Sequence, residues 1–171
     1  MPASVRRSGA NPRAWSLIDS RRAGRTERCY VQLRDLIEGK SPTLLAAMAT
    51  ICGVLHHKMP HHSWTGFYFV AGEDELHVGP YQGAAACQVL SGGGVCLRAV
   101  KTQAPVIVAD VEQFPGHIAC DARARSEIVL PVMTCGRVVA VFDVDSDRLA
   151  QFDEDDVAPL NRILSLLNPY L

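Results

Sequence analysis

The stretch FPGHIACDARARSEIVLPV, Phe114–Val132, joins a turn, a short polar segment and an apolar run. The Pro-Gly pair at 115–116 favours the turn, and the run from Ile128 to Leu130 has the composition of a buried strand. Cys120 lies in the polar segment, and Glu127 directly precedes the apolar run. A thiol and a carboxylate between a turn and a strand suit redox or nucleophilic chemistry. The alternative, to which we give equal weight, is that Cys120 is a small buried apolar residue and that Glu127 is a solvated residue at the start of the strand.

The next predicted strand, residues 138–145, follows a turn at residues 135–136 and alternates regularly between its two faces. The alternation predicts that Asp143 and Asp145 share one face with Val139. Two carboxylates on an otherwise apolar face need partners or a polar cavity, unless the strand end emerges into solvent. This face is therefore a candidate binding surface.

The hairpin between these two strands decides whether Glu127 joins the aspartates. In a regular hairpin with a two-residue turn, Glu127 lies opposite Val144 and points away from them. Pairing of Glu127 with Asp145 requires an odd-length loop or a β-bulge. We predict such an irregularity, which places Glu127, Val129 and Asp143 on the same side of the sheet.

Upstream, the segment WTGFYFV, which begins at Trp64, predicts a strand rich in aromatic residues. Phe67 and Phe69 fall on one face, which we assign to the core. Trp64, Gly66 and Tyr68 fall on the other face, where the glycine is predicted to leave a hollow between two polar-tipped rings. Such a hollow suits a cation or a sulfur group, and ordinary packing under a helix is the alternative.

A glycine-rich connection, residues 79–96, links this region to the next helix. Its triple glycine at 92–94 lacks the Lys-Ser/Thr of a phosphate-binding loop. We interpret the connection as a mobile active-site loop that carries two thiols, Cys87 and Cys96. Mobility suits thiol exchange, because a resolving thiol must travel to its partner.

Helical patterns lie at both ends of the chain. One apolar stripe begins near Glu27 and ends before Gly39, a second runs through residues 44–55, and a third follows Asp153. Consecutive strands between them, joined by tight turns, favour an antiparallel sheet. The predicted fold class is therefore α+β.

Four histidines in the segment HHKMPHH, residues 56–62, raise the question of a metal site. Pro60 interrupts the helix, so the two histidine pairs do not share one face. A metal site needs three or four converging ligands. We therefore interpret the segment as a solvated connector and predict no metal.

The composition predicts one domain with an ordinary core, because the chain has 171 residues and is 48% hydrophobic. Its net charge of −1 argues against a nucleic-acid or membrane-surface partner. The six cysteines include no CxxC pair, and no apolar signal-peptide core begins the chain. Reduced thiols in a reducing, cytoplasmic location are therefore expected.

Residues 1–26 carry six arginines and one acidic residue. We predict an Arg-rich N-terminal extension, residues 1–26, followed by the folded domain, residues 27–171. The extension has the composition of an organellar import segment. A solvated or dimer-packed extension is the interpretation that we favour.

Six segments together resemble the free methionine-(R)-sulfoxide reductases, single-domain enzymes built on the GAF fold. The segments are WTGFYFV, VGPYQG, GGVC, FPGHIACD, SEIVLP and FDVDS, and the resemblance spans about residues 27 to 167. It implies a GAF-like antiparallel sheet flanked by helices from both chain ends. Leu97, where the family usually has glycine, and a Cys87–Cys96 interval that is one residue shorter both depart from the pattern near Cys96.

The resemblance implies a role for each matching residue. Cys120 matches the attacking cysteine, Cys87 the resolving cysteine, and Cys96 a third cysteine that can join disulfide exchange. The residues that match the substrate-binding positions are the aromatic residues Trp64 and Tyr68 and the carboxylates Glu127, Asp143 and Asp145.

The implied reaction is the reduction of free L-methionine (R)-sulfoxide to L-methionine. It proceeds through a sulfenic acid at Cys120 and an intramolecular disulfide that a thioredoxin-type reductant recycles. Neither a metal nor an organic cofactor is required, and a homodimer is expected. The alternative function is a non-catalytic GAF module that senses a small ligand or redox state.

Overall fold

The computed structural model describes the backbone of residues 12–116 and 123–171, and the side chains of residues 24–116 and 123–171. An antiparallel six-stranded sheet forms its centre, in the order β3-β2-β1-β6-β5-β4. The strands are β1 (Trp64–Gly72), β2 (Glu75–Gln82), β3 (Val89–Ser91), β4 (Val106–Val108), β5 (Ser126–Thr134) and β6 (Arg137–Ser146). The predicted α+β class with an antiparallel sheet is confirmed.

The helices divide between the two faces of the sheet. Those in the described part are α1 (Pro12–Ile37), α2 (Leu44–Lys58), α3 (Val95–Thr102) and α4 (Glu154–Leu164), with 3₁₀ turns at Val111–Gln113 and Ser165–Tyr170. Residues of α1, α2 and α4 share one apolar cluster with the sheet, and residues of α3 share the other. Helices from both chain ends therefore cover one face, as predicted, and the face under α3 is free to form a site.

The alternation predicted for β1 is confirmed by these two clusters. Phe67 is fully buried on the helix-covered face, where its ring centroid lies 4.9 Å from that of Phe142 on β6. Burial of a phenylalanine side chain stabilises the fold by roughly 1.5–3 kcal/mol. Trp64 and Tyr68 belong to the cluster on the opposite face.

The first helix begins earlier than its apolar stripe predicts. The stripe indicated a start near Glu27, whereas α1 begins at Pro12. Proline is favoured at the first helical position, and the following Arg, Ala and Leu residues have high helix propensity. An apolar stripe marks only the part of a helix that packs on a core, which is why the earlier turns were missed. The predicted boundary at residue 26 therefore lies inside one continuous helix.

Contacts between the two ends of the chain fasten the helix-covered face. Arg162 on α4 forms an ion pair with Glu27 on α1 at 2.6 Å and lies 3.8 Å above the ring centroid of Tyr30. The Tyr170 hydroxyl donates to the carbonyl oxygens of Ile37 and Ser41, at 3.1 and 3.2 Å. The ion pair is half exposed, so packing and the hydroxyl contacts hold the ends more effectively than charge does.

The β5–β6 hairpin contains the predicted irregularity. Its two-residue turn, residues 135–136, has positive φ at both positions, as a type I′ turn requires. The pairing then shifts by one residue. Met133 pairs with Val138, but the next residue of β5, Val132, pairs with Ala140, so Val139 is the extra residue of a bulge. Beyond this bulge Glu127 lies opposite Asp145, so the register prediction is confirmed.

The bulge also corrects one face assignment. Val139 was predicted to share a face with the aspartates, but it packs against the helix-side cluster, and Val138 lies on the opposite side. The extra residue at a bulge reverses the alternation of the residues before it. The face assignment of Asp143 and Asp145 is unaffected, because both follow the bulge.

The predicted glycine-rich loop is largely regular structure. β2 extends to Gln82 and β3 pairs with it, so the irregular part is short. Gly79 lies within β2, and an added Cβ there would lie 2.8 Å from a ring carbon of Phe69. The glycine thus reflects close packing, and the prediction of one long loop was wrong.

Within the described part of the chain, no helix combines the length and the apolar character needed to cross a bilayer.

Candidate functional site

A pocket opens on the face of the sheet that α3 covers. Its floor is formed by β1, β5 and β6, and its rim by the start of α3 and the segment after β2. It offers a volume of about 40 Å³ to water centres, enough for about three waters. The residues around it are Trp64, Tyr68, Ala85, Ala86, Leu90, Gly93, Gly94, Val95, Cys96, Ala124, Glu127, Asp143 and Asp145.

Two carboxyl groups and one thiol meet at the floor of this pocket. Glu127 is 5% exposed and Asp143 6% exposed. Each of Cys96, Glu127 and Asp143 offers one atom that could bind a cation, and these atoms lie within 4.8 Å of one another. The bulge described above is the reason that Glu127 reaches this group. The third carboxylate, Asp145, also lines the pocket but is only half buried.

The two buried carboxyl groups bind protons more tightly than free carboxyl groups do. Burial, followed by the charges of Asp143 and Asp145, raises the pKa of Glu127 well above its ordinary value. Burial raises the pKa of Asp143 to about 7, partly offset by hydrogen bonds from Cys96 and Glu127. Glu127 and Asp143 therefore share at least one proton near neutral pH, which makes the pair a source of general acid.

Cys96 is a buried thiol that donates to a carboxylate. Its Sγ lies 3.4 Å from Oδ2 of Asp143. Burial, followed by the charges of Asp143 and Glu127, raises the pKa of the Cys96 thiol well above its ordinary value. Its place in the first turn of α3 is not enough to produce a thiolate against these carboxylates.

Two aromatic rings form the apolar wall of the pocket, and a third packs behind one of them. The Trp64 ring stacks against Tyr68, with centroids 5.7 Å apart, and against Tyr81 of β2 at 5.4 Å. An added Cβ at Gly66 would lie 2.3 Å from Cη2 of Trp64 and 2.5 Å from Cβ of Tyr81. The glycine therefore admits the Trp64 ring, and the prediction of an open hollow between the two rings was wrong.

Two buried polar atoms in the pocket wall have no hydrogen-bond partner among the described residues. They are the indole Nε1 of Trp64 and Oδ1 of Asp143. A buried donor and a buried acceptor without partners are costly in a folded protein. Both belong to pocket-lining residues. A ligand in the pocket is therefore a candidate partner for both atoms.

The cysteines differ in redox state. Cys87 takes part in a disulfide bond, while Cys29, Cys52, Cys96 and Cys135 are free thiols. Cys87 follows directly after two alanines that line the pocket. The predicted nucleophile, Cys120, lies outside the described residues.

The chain matches the GAF domain model over residues 43–168. It is 42% identical over 143 residues to GAF domain-containing protein A of Dictyostelium discoideum, covering 83% of this chain and 89% of that protein. It is 36% identical over 130 residues to the free methionine-R-sulfoxide reductase of Escherichia coli, covering 75% and 78%.

The X-ray structure of free methionine-R-sulfoxide reductase from Neisseria meningitidis in complex with its substrate superposes with a TM-score of 0.82. The two sequences are 32% identical, and the alignment covers 98% of this chain and 94% of that one. The chain belongs to the free methionine-R-sulfoxide reductase family of GAF-domain proteins. The predicted family, GAF fold and oxidoreductase class are thereby confirmed.

Within this reductase family fold, the structure brings most of the predicted site residues together. The residues Cys96, Trp64, Tyr68, Glu127, Asp143 and Asp145 line one pocket. Cys87 lies beside the pocket lining, and Cys120 falls in the segment that is not described. The roles assigned to these residues stay predictions.

Sequence reasoning missed Tyr81, which backs Trp64 within the reductase fold. Tyr81 lies opposite Gly66 in the β1–β2 pairing. The signal was present in the VGPYQG motif. The motif was assigned to a loop, so no strand pairing was considered for it.

Proposed function

We propose that this protein reduces free L-methionine (R)-sulfoxide to L-methionine, with Cys120 as the nucleophile and Cys87 as the resolving thiol. The observation that carries the proposal is that the carboxyl pair Glu127–Asp143, which holds at least one proton, lies in one pocket with an aromatic wall. The Cys87 disulfide beside that pocket supplies the redox partner. The substrate complex of the Neisseria relative supports the choice of substrate.

The pocket suits the two ends of this substrate. The stacked faces of Trp64 and Tyr68 fit the methyl group and sulfur, because thioether sulfur packs well on aromatic rings. The carboxylates attract the substrate ammonium group, and Oδ1 of Asp143 is an acceptor without a partner among the described residues. The indole N–H of Trp64 is a donor available to the sulfoxide oxygen.

The first chemical step transfers the sulfoxide oxygen to Cys120. The Cys120 thiolate attacks the sulfoxide sulfur, and the Glu127–Asp143 pair gives its proton to the oxygen. Oxygen then passes to the cysteine sulfur as the S–O bond to methionine and the newly formed sulfur–sulfur bond both break. The sulfoxide gains two electrons and leaves as methionine, and Cys120 is oxidised to the sulfenic acid.

The second step forms the disulfide. The Cys87 thiol attacks the Cys120 sulfenic sulfur, water leaves, and a disulfide bond joins the two cysteines. Support for this pairing comes from the redox states. Cys87 is disulfide-bonded, and the other four described cysteines are free. A thioredoxin-type dithiol then reduces the disulfide and restores both thiols.

Residues on both sides of the Cys120 segment lie near the pocket. Ala124 lines it, and the Gly116 carbonyl oxygen lies 3.5 Å from an added Cβ at Gly93, which also lines it. Four residues of extended chain span at most about 14 Å. Cys120 is four residues from Gly116 and four from Ala124. This short connection to the pocket supports the assignment of Cys120 as the nucleophile.

The state of the pocket fits an enzyme that has completed the oxidative half of its cycle. About 40 Å³ of the pocket is open to water centres, and the segment after β2 forms part of its rim. Ala85 and Ala86, which line it, directly precede the disulfide-bonded Cys87. We therefore propose that reduction of this disulfide lets the segment withdraw and admits the substrate.

A thioredoxin-coupled assay tests the proposed function. NADPH consumption is measured with free L-methionine (R)-sulfoxide, with the (S) epimer and with the N-acetylated (R) compound. Consumption with the free (R) compound, and at least about tenfold less with the other two, is the expected result. No consumption with any of them, despite binding of the free (R) compound, would indicate a non-catalytic sensor.

A further inference from the structure

The buried thiol and the two carboxyl groups at the pocket floor form a set of metal ligands, although the proposed reaction requires no metal. They come from three elements: Cys96 from α3, Glu127 from β5 and Asp143 from β6. One ligand atom from each lies within 4.8 Å of the others. All three side chains are buried, so a cation held there would be shielded from bulk water.

We propose that Cys96, Glu127 and Asp143 bind a zinc-type divalent cation in this pocket. The cation acts as a competitor for the substrate site rather than as a cofactor. The cation site goes beyond the proposed function, because it exists whether or not the protein turns over, whereas the competition with substrate rests on that function.

The distances between the ligand atoms fit zinc. Zinc binds thiolate sulfur at about 2.3 Å and carboxylate oxygen at about 2.0–2.2 Å, so the edge between them in a tetrahedron is about 3.5 Å. Sγ of Cys96 and Oδ2 of Asp143 are 3.4 Å apart. The distance between these two atoms is therefore already the tetrahedral one, and the Glu127 ligand atom lies within 4.8 Å of both ligand atoms.

An independent observation indicates a ligand at this position. Asp143 is 94% buried, as its exposure of 6% shows, and its Oδ1 has no hydrogen-bond partner among the described residues. The same residue lines the pocket, so this acceptor is available to a cation that enters. Asp145, which is paired with Glu127 across the two strands, also lines the pocket.

The mixed ligand set determines which cations bind. Thiolate sulfur favours zinc and cobalt over magnesium and calcium, which prefer oxygen ligands alone. When the sulfur–metal bond forms, the Cys96 thiol releases its proton to solvent. Because the same carboxylates are proposed to bind the substrate ammonium group, cation and substrate exclude each other.

Cobalt(II) provides a direct spectroscopic test, because a Co–thiolate bond has a charge-transfer band in the near ultraviolet. The protein is purified without reductant, so that Cys87 stays in its disulfide. Titration with CoCl₂ is expected to develop this band with one equivalent of metal, and one equivalent of ZnCl₂ is expected to displace it. A large excess of MgCl₂ is expected to leave it unchanged.

Matched variants then locate the site. Cys96→Ser is expected to remove the band, whereas Cys135→Ser, which changes an exposed thiol, is expected to retain it. Glu127→Gln is expected to weaken cobalt binding by at least about tenfold. Circular dichroism checks the fold of each variant. If Cys96→Ser does not fold, the cobalt affinity of Glu127→Gln and Asp143→Asn shows whether the cation binds at this site.

Three outcomes would overturn the proposal. They are the absence of a thiolate band in the wild-type protein, a band that persists in folded Cys96→Ser, and a band that disappears in Cys135→Ser. None of these depends on the proposed reaction, because binding is measured without substrate. A failed turnover assay would contradict the reductase proposal and leave the metal result unaffected.

Discussion

Cys96 donates its thiol hydrogen to Asp143, with 3.4 Å between Sγ and Oδ2, at a point buried from solvent. The contact holds the thiol in its protonated form, because a thiolate there would face the charge of the carboxylate. A protonated thiol is a weak nucleophile. This geometry favours Cys120 as the residue that attacks the substrate.

Replacement of Cys120 by serine is expected to remove turnover. Serine cannot form the sulfur–oxygen intermediate, so the rate in the thioredoxin-coupled assay should fall by at least about 10³-fold. Cys135→Ser is the matched control, because it removes an exposed thiol at the hairpin tip, and it should keep the wild-type rate. Substantial activity in Cys120→Ser, with none in Cys96→Ser, would reassign the nucleophile.

Replacement of Cys87 by serine should separate the two halves of the cycle. The variant can still form one sulfenic acid, but it cannot form the disulfide that the reductant recognises. Rapid mixing with the sulfoxide should therefore yield a burst of one methionine per enzyme, followed by slow turnover. Loss of the burst itself would show that Cys87 does more than resolve the sulfenic acid.

Gly66→Ala should displace the aromatic wall of the pocket. The new methyl group meets Trp64 at 2.3 Å and Tyr81 at 2.5 Å, so the stacked rings must shift. A misplacement of about 1 Å in an active site can cost about 10²-fold, so kcat/KM is expected to fall by that factor even where the fold survives. The variant is measured by steady-state kinetics together with its melting temperature.

Gly53→Ala is the control for this substitution. Gly53 lies inside α2, and an added Cβ meets nothing within 4 Å. Alanine is favoured over glycine in a helix by up to about 1 kcal/mol, so the control should be as stable as the wild type or more so. Equal kinetics in the two variants would contradict a role for the ring stack.

The pH dependence of turnover should report the shared proton of the carboxyl pair. Because the proposed acid must be protonated, kcat/KM is expected to begin to fall as pH rises through about 7, where Asp143 releases its proton, and to fall further once Glu127 also ionises. Asp143→Asn cannot donate in this way and should lose at least about 10²-fold in kcat/KM at neutral pH. Retention of the wild-type pH profile in Asp143→Asn would exclude Asp143 from the pair that donates.

The same pKa shift should appear in the stability of the fold. Between about pH 4 and pH 7 the folded protein holds a proton on Asp143 that the unfolded chain has released. The free energy of unfolding therefore decreases as pH rises through this range. Urea titrations measure the free energy of unfolding at pH 5 and at pH 8. Its decrease between these two pH values should be smaller in Asp143→Asn than in the wild type, by on the order of 1–4 kcal/mol. An unchanged decrease would mean that Asp143 ionises normally in the fold.

The amino-acid sequence by itself determined the fold class and most of the residues that line the pocket. Period-two alternation places Trp64 with Tyr68, and Asp143 with Asp145, because neighbouring side chains of a strand point to opposite faces. The need to bring Glu127 to the same face predicted an irregular hairpin. Such regularities are local, so they can be deduced without knowing what packs on the strand.

Only the tertiary structure decided the features that depend on contacts between distant segments. The ring of Trp64 fills the space beside Gly66 because Tyr81, on another strand, backs it. The proton shared by Glu127 and Asp143 depends on burial beneath α3, and free carboxyl groups of the same sequence would be ionised. Local periodicity carries no information about burial or about which ring packs on which, because both are set by chain folding over long separations in sequence.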